Sequence, residues 1–203
     1  MHRRKFIVAA TAGLLWARST HAEALSGAPL LSALRQGGFV LVMRHAQSPR
    51  TKPDQASANP DNVGMERQLD DVGRTTARAM GEAMRRLRIP LGEILSSPTY
   101  RAMETITLAG LGKPKAVDEL GDGGQGMAAV TDAMRADWLR KHAAEAPRSG
   151  TNTMMVTHSP NITGAFAAAA AGIAEGETLV MRPDGTGEAE VVARIKITEW
   201  ELL

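Results

Sequence analysis

The chain contains no cysteine among its 203 residues. Disulfide bonds, catalysis by a thiolate and zinc sites built on thiolates are therefore excluded. Without disulfides the folded chain depends on its hydrophobic core, and a domain of about 180 residues is large enough to form one. The sequence carries no divalent-metal signature, and we predict neither a metal nor another cofactor.

The sequence also lacks a clustered basic face. Its formal net charge is only +2. Proteins that bind nucleic acid usually concentrate lysine and arginine on one surface, so we predict no nucleic-acid partner. Residues 1–22 hold four of the positive charges and no acidic residue, and removing those four charges from +2 leaves −2 for the rest of the chain.

Residues 1–22 have the layout of a secretory signal peptide. A basic start that includes Arg3 and Arg4 precedes a largely apolar stretch, and Ala22 is a small residue suited to cleavage. The arginine pair favours the twin-arginine route, with the general secretory route as the alternative. The apolar stretch is too short to span a bilayer by itself, so an uncleaved anchor is disfavoured. We predict a periplasmic or secreted protein, not stably inserted in a membrane after cleavage, with residues 23–203 as one domain.

After the signal segment, apolar strands alternate with amphipathic helices. Strands are predicted at 39–43, 94–96, 116–117, 153–157, 177–182 and 188–197. Helices are predicted at 29–36, 70–87, 100–108, 127–144 and 162–171. The alternation predicts an α/β fold, a three-layer α/β/α sandwich with a mostly parallel central sheet. A polar loop at 46–66 is either a lid over a site or a surface insertion.

Three strands lead into residues that can bind or attack phosphate. Arg44 and His45 follow the first apolar strand. Arg101 begins the helix after the second strand, and His158 follows the fourth. Ligands of open α/β sheets bind beyond the carboxyl ends of such strands. Arginine offers a planar fork for phosphate oxygens, and histidine can act as a nucleophile or move protons near neutral pH. The sequence therefore predicts an oxyanion site at one edge of the sheet.

Four short motifs in this region resemble those of the histidine phosphatase superfamily, which includes cofactor-dependent phosphoglycerate mutases and many phosphatases. They occur in the family's order and span most of the predicted domain. The motifs are Arg44-His45-Ala46-Gln47, the spacing of Leu69, Gly73 and Ala77, Ser96-Ser97-Pro98 leading to Arg101-Ala102-Met103-Glu104-Thr105, and Val156-Thr157-His158-Ser159. The resemblance implies a phosphoglycerate mutase-like fold and a covalent phosphohistidine intermediate that needs no metal.

The resemblance also implies a role for each matching residue. His45 matches the phosphorylated nucleophile, and His158 matches the second histidine of the pocket. Arg44 and Arg101 match two phosphate-binding arginines. The family's general acid commonly lies on a leucine-x-glutamate pattern after the second arginine helix. Leu120-Gly121-Asp122 fits that pattern with an aspartate, and Asp122 is the first choice for the acid.

Two departures from the family affect the predicted function. The first motif more often continues with glycine and an acidic residue, whereas Ala46 and Gln47 stand here, which weakens an analogy with the mutases. The loop around the acid is short and glycine-rich, which favours a compact, open pocket. We predict substrate contacts from Gln47, Arg67 and Glu119, and Glu119 is also the alternative general acid.

These features together predict a phosphomonoester hydrolase, namely a metal-independent histidine phosphatase. Its predicted partner is a phosphate ester, either a small molecule or a group on a surface. Two alternatives stay open. One is a catalytically inactive protein that binds phosphate esters, which the unusual Gln47 and the choice of acid motivate. The other is a phosphotransferase or mutase.

Overall fold

A computed structural model describes residues 24–50, 63–124 and 129–203. Within these ranges six strands form one sheet. They are β1 (Val40–Arg44), β2 (Leu91–Ser96), β3 (Lys115–Ala116), β4 (Asn152–Thr157), β5 (Thr178–Pro183) and β6 (Ala189–Ile195). Their order across the sheet is β3-β2-β4-β1-β5-β6. The four buried apolar residues that begin β1 explain why this strand lies near the centre.

The sheet is mostly parallel, as predicted, with an antiparallel end. Strand β1 pairs in parallel with β4, β4 with β2, and β2 with β3. Strands β5 and β6 form a hairpin, and β5 pairs antiparallel with β1. The turn of the hairpin is closed by Asp184, whose carboxylate accepts hydrogen bonds from the backbone N–H groups of Thr186 and Glu188. A short turn can join only antiparallel neighbours, which explains the direction of β6 relative to β5.

Five helices accompany the strands in the described part of the chain. They are α1 (Gly27–Gln36), α2 (Asp71–Arg86), α3 (Tyr100–Ala109), α4 (Asp132–Ala143) and α5 (Ser159–Phe166). Helix α2 begins where predicted, because the side chain of Asp70 caps it by accepting a hydrogen bond from the backbone N–H of Gly73.

Three predicted helix boundaries are wrong by three residues or more, and one of them is the start of α5, at Ser159 rather than at 162. Helix α4 begins at Asp132 rather than at 127, because Thr131 has an extended backbone and its hydroxyl caps the backbone N–H of Met134. Helix α5 ends at Phe166 instead of continuing through the alanine run. Ala167 has a φ of 39°, outside the α-helical range, and a short 3₁₀ turn follows.

Helices cover both faces of the sheet. On one face, Leu41 and Met43 of β1 pack in a core that includes Met80 of α2 and Ile106 of α3. On the other face lies a second core. It contains Val40 and Val42 of β1, Leu139 of α4 and Ile162 of α5. The alternation along β1 sends successive side chains to opposite faces, and the predicted three-layer sandwich is confirmed.

Two of the predicted segments fall largely outside the described residues. The signal segment at 1–22 lies entirely outside them, and so does most of the loop at 46–66. In the ranges that are described, no helix combines the length and the apolar character needed to cross a membrane.

Candidate active site

The carboxyl ends of three adjacent strands supply most of the site. His45 follows β1 directly, and His158 follows β4 and is the N-cap residue of α5. Strand β2 leads through a short turn to Arg101, the second residue of α3. Since β4 lies between β1 and β2, these three side chains converge at one edge of the sheet. The three belong to separate motifs of the sequence.

The imidazole of His45 is held in one tautomer. Its Nδ1 lies 2.8 Å from the carbonyl oxygen of Ala46. A carbonyl oxygen can only accept a hydrogen bond, so Nδ1 carries the ring proton. The other nitrogen, Nε2, then presents a lone pair, and it accepts a hydrogen bond from Nε of Arg101 at 3.3 Å. The structure therefore holds Nε2 of His45 as an unprotonated atom beside a cation.

His158 has the opposite arrangement of its two ring nitrogens. Its Nδ1 accepts from Nη2 of Arg101 at 3.2 Å, and its Nε2 lies 2.9 Å from Oγ of Ser97. Because Nδ1 is the acceptor, Nε2 donates to the serine. The rings of His45 and His158 lie 5.2 Å apart, centroid to centroid, at an angle of 60°. Arg101 thus bridges the two imidazoles.

Both histidines are held in the neutral form. Each is about 3 % exposed. Burial, the largest cause, lowers the pKa of both well below the usual range, and neighbouring positive charge lowers each further. For His45 the causes after burial are the repulsion that would arise if His158 were also protonated and the positive charge of Arg101. For His158 it comes from Arg101, Arg67, Arg44 and Arg135. A neutral imidazole is the form that can attack phosphorus.

Asp122 is the candidate acid that reaches the cluster. Its carboxylate forms an ion pair with Arg101 and accepts a hydrogen bond from the backbone N–H of Gly124 at 3.0 Å. Glu119 lies in the preceding 3₁₀ turn, at Asp118–Leu120, and forms no ion pair or hydrogen bond with any residue of the described ranges. The geometry therefore favours Asp122 over Glu119 as the acid.

The loop that carries Asp122 is anchored by two residues that the sequence reasoning missed. The hydroxyl of Thr157 donates to the carbonyl oxygen of Leu120 at 2.7 Å. The amide of Asn161 donates to the carbonyl oxygen of Gly121, also at 2.7 Å. Both anchors flank His158 in the sequence, and polar residues beside a motif histidine were the available signal.

Arg44 is tied to the loop between α5 and β5. Its Nη1 donates to the carbonyl oxygen of Ile173, and its Nη2 donates to Oε1 of Glu175, each at 2.9 Å. The second oxygen of Glu175 lies 3.3 Å from the backbone N–H of Ser48. Burial lowers the pKa of Arg44, and the charge of Glu175 partly opposes this effect. Sequence reasoning missed Glu175, for which no motif or period gave a signal.

The two remaining predicted contacts behave differently. Arg67 donates from Nε to Oγ of Ser48 at 3.1 Å and lies 4.0 Å from Glu175. Its charge also contributes to the lowered pKa of both histidines, which places it near the pocket. Gln47 lies farther out, because its exposed amide donates to the carboxylate of Asp70 at 2.9 Å. Both the amide and the carboxylate line an open groove of about 500 Å³ next to Arg44.

The donor chemistry of the site suits an anion. Three guanidinium groups, of Arg44, Arg67 and Arg101, lie around two neutral imidazoles. Their N–H groups donate to backbone, carboxylate and hydroxyl oxygens and, in Arg101, to the imidazole nitrogens. Among the residues that the structure describes, no three histidine, aspartate or glutamate side chains group together as metal ligands. Such a set of fixed donors can stabilise charge on a transferring phosphoryl group.

Comparison with known families gives the same assignment. The model of the histidine phosphatase superfamily (branch 1) matches residues 40–122, which contain three of the four motifs and end at the candidate acid. The match over residues 40–122 supports membership in the histidine phosphatase superfamily. Membership in this superfamily indicates phosphatase or mutase activity. No curated protein matches the sequence.

Solved structures of the superfamily share the fold. The protein histidine phosphatase SixA complexed with tungstate is 14% identical, with a TM-score of 0.58 over 79% of this chain and 98% of that chain. SixA from Agrobacterium tumefaciens is 16% identical, with a TM-score of 0.53 over 78% and 97%. A variant of phosphoserine phosphatase from Entamoeba histolytica, in complex with phosphoserine, is 11% identical, with a TM-score of 0.51 over 77% and 95%. These likenesses establish the phosphoglycerate mutase-like architecture.

Proposed function

We propose that this histidine phosphatase is a phosphomonoester hydrolase that forms a covalent phosphohistidine at Nε2 of His45. One observation carries the proposal. The carbonyl of Ala46 holds the proton of the imidazole on Nδ1, which leaves the Nε2 lone pair beside the guanidinium of Arg101. A nucleophile and a phosphate-binding cation therefore lie within one hydrogen bond of each other, as phosphoryl transfer requires.

Substrate binding involves an exchange of anions. In the free protein two of the pocket arginines hold carboxylates, since Arg44 pairs with Glu175 and Arg101 pairs with Asp122. A phosphate group carries more negative charge and more acceptor oxygens than a carboxylate, so it can take over these N–H donors. Release of Asp122 from Arg101 leaves its carboxyl group beside the bound ester, where it can take up a proton.

The chemical step then follows from the positions of these groups. Nε2 of His45 attacks phosphorus, the bond from phosphorus to the ester oxygen breaks, and Asp122 gives its proton to the leaving oxygen. In the second half, the Asp122 carboxylate takes a proton from water as the water oxygen attacks phosphorus. The bond between phosphorus and Nε2 breaks, and inorganic phosphate leaves. Metal ions take no part in either half of this proposed cycle.

Access of water to the phosphorylated His45 favours hydrolysis over transfer of the phosphoryl group to a second substrate. The groove beside Arg44 is bordered by the exposed residues Gln47, Pro49 and Arg50. Water can therefore reach the phosphoenzyme from this side. Phosphate esters of small molecules or surface groups are the proposed substrates, and phosphoserine and phosphohistidine are sensible first choices. We further propose that residues 1–22 direct export, so that the enzyme acts in the periplasm or outside the cell.

The test is hydrolysis of p-nitrophenyl phosphate by the purified protein, with and without a chelator. Wild-type activity should resist the chelator, whereas His45→Ala should lower kcat at least about a thousandfold. His142→Ala is the matched control, because His142 stacks on Trp138 of α4 outside the site and should keep activity within about twofold. An acid-labile phosphoenzyme should form in wild type and in His142→Ala, but not in His45→Ala.

Three results would contradict this function. A folded wild-type protein that binds phosphate esters yet releases no phosphate from acidic to neutral pH would be an inactive binding protein. Transfer of the phosphoryl group to a second sugar, or its movement within one sugar, would indicate a phosphotransferase or mutase. Activity that disappears with the chelator would contradict the metal-independent mechanism.

A further inference from the structure

Arg135 is buried near the start of α4, a helix that is otherwise rich in exposed charge. It is 6 % exposed. Its two terminal nitrogens donate to the carbonyl oxygen of Val130 and to the carboxylate of Asp132. Its Nε is also buried and has no hydrogen-bond partner among the residues that the structure describes. The predicted catalytic residues do not include this arginine.

The guanidinium of Arg135 lies against the backbone of residues 120–124, which carry Asp122 and are called the acid loop below. Gly123, the residue directly after Asp122, has a φ of +73°. A Cβ atom at Gly123 would lie 3.0 Å from Nη2 of Arg135, 3.1 Å from Nη1 and 3.3 Å from Cζ. These distances are shorter than most contacts of a Cβ atom, and a φ of this sign is one that other residues rarely adopt, so glycine suits this position. The guanidinium of Arg135 therefore lies close to the backbone that follows the candidate acid.

Arg135 also acts on the pocket through its charge. Burial is the main cause of the lowered pKa of His158, and the positive charge of Arg135 contributes after the three pocket arginines. Arg101 and Arg135 thus hold the acid loop in different ways. Arg101 binds the carboxylate of Asp122, and Arg135 packs against the following backbone.

We propose that Arg135 is a positioning residue for Asp122, holding the acid loop at Gly123 while the substrate occupies Arg101. The inference rests on the proposed function, in which Asp122 is the general acid. When phosphate takes the N–H donors of Arg101, the acid loses its ion pair with Arg101. The contact between Arg135 and Gly123 remains, and it keeps the carboxyl group within reach of the leaving oxygen.

The test compares leaving groups in Arg135→Gln. Loss of acid positioning slows expulsion of a poor leaving group more than that of a good one. We expect kcat for glycerol phosphate to fall about tenfold or more, and kcat for p-nitrophenyl phosphate to fall less than about threefold. Arg140→Gln is the matched control, since Arg140 pairs with Asp137 in the same helix with the same spacing as Arg135 with Asp132. It should change neither value more than about twofold.

A double mutant separates positioning from general damage. In an Asp122→Asn background the acid is already lost, so Arg135→Gln should cause no further loss with glycerol phosphate. Gly123→Ala provides an independent variant, because the added Cβ would push the loop from Arg135, and it should give the same dependence on the leaving group. This variant decides the question if Arg135→Gln does not fold.

The possible failures are distinguishable. The positioning role is wrong if Arg135→Gln and Gly123→Ala each slow both substrates equally. It is also wrong if Arg135→Gln lowers kcat further in the Asp122→Asn background. In either case Asp122→Asn by itself should still slow the poor leaving group more than the good one. If Asp122→Asn slows both substrates equally, Asp122 is not the acid. If wild type shows no turnover, the proposed function is wrong. The positioning role of Arg135 fails in both cases.

Discussion

Acidification should destabilise this protein through the two histidines of its site. His45 and His158 are buried, and burial, followed by nearby positive charge, lowers the pKa of each in the folded state. The unfolded chain has ordinary histidines with a pKa of about 6.5. Below that value the unfolded state binds more protons than the folded state. The stability that depends on neutral histidines is therefore fully present above about pH 6.5 and is lost as the pH falls through it.

The size of the effect follows from linkage. For a histidine that stays neutral in the folded protein, the folding equilibrium constant falls about tenfold between pH 7.5 and 5.5, when the unfolded pKa is about 6.5. Two such histidines together lower the folding equilibrium constant about a hundredfold, which is about 3 kcal/mol and a large part of the stability of a typical domain. The coupling between His45 and His158 acts in the same direction, since the charge of either one would oppose protonation of the other.

Urea unfolding at pH 7.5 and 5.5 measures this loss directly. Wild type should lose about 3 kcal/mol more than the double variant His45→Gln/His158→Gln over this interval, and each single variant should fall between them. Because each protein is compared with itself at two pH values, the direct effect of a substitution on stability cancels. Equal losses in wild type and the double variant would show that the folded protein takes up these protons, and the argument for a neutral nucleophile would fail.

Further substitutions test the packing and the site. Gly81→Ala should destabilise the protein by at least about 2 kcal/mol in urea unfolding, because its Cβ would lie 1.7 Å from the carbonyl oxygen of Ala109. Gln47→Ala should change kcat/KM for p-nitrophenyl phosphate less than about threefold, since its amide bonds to Asp70. A loss of tenfold would indicate a substrate contact. Asn161→Ala should slow hydrolysis of glycerol phosphate more than that of p-nitrophenyl phosphate, because it releases the acid loop.

The sequence was most informative where one local rule determines the structure. The apolar run of β1 predicts a strand buried on both faces, and the structure has one. Strand β2 is only partly buried at its start, and its first three residues, Leu91 to Glu93, give no apolar run. Its predicted start at 94 was therefore too late. The helix ends show the same contrast. Asp70 is a clear N-cap signal, so the start of α2 is predictable. The break at Ala167 interrupts a run of alanines, which favour helix, so the end of α5 is not.

The residues of the candidate site also divide into those that a local sequence rule predicts and those that it does not. His45, Arg101 and His158 were predictable because they follow strands whose carboxyl ends meet at one edge. Glu175 was not, since it reaches Arg44 across 131 residues of sequence from a loop without a period or a motif. Arg135 was equally hidden, because its burial depends on how α4 packs against the acid loop rather than on its neighbours in sequence.

The proposed acid, Asp122, shows how the sequence pattern and the folded backbone combine. An aspartate at position 122 is one methylene shorter than the glutamate of the family pattern, so its reach depends on where the loop backbone lies. The structure holds that backbone from two sides. Thr157 and Asn161 bind the carbonyl groups before Asp122, and Arg135 packs against Gly123 after it. A shorter acid on a tightly anchored loop can serve the same chemistry as a longer acid on a looser loop, because proton transfer depends on the position of the carboxyl oxygens rather than on the length of the side chain.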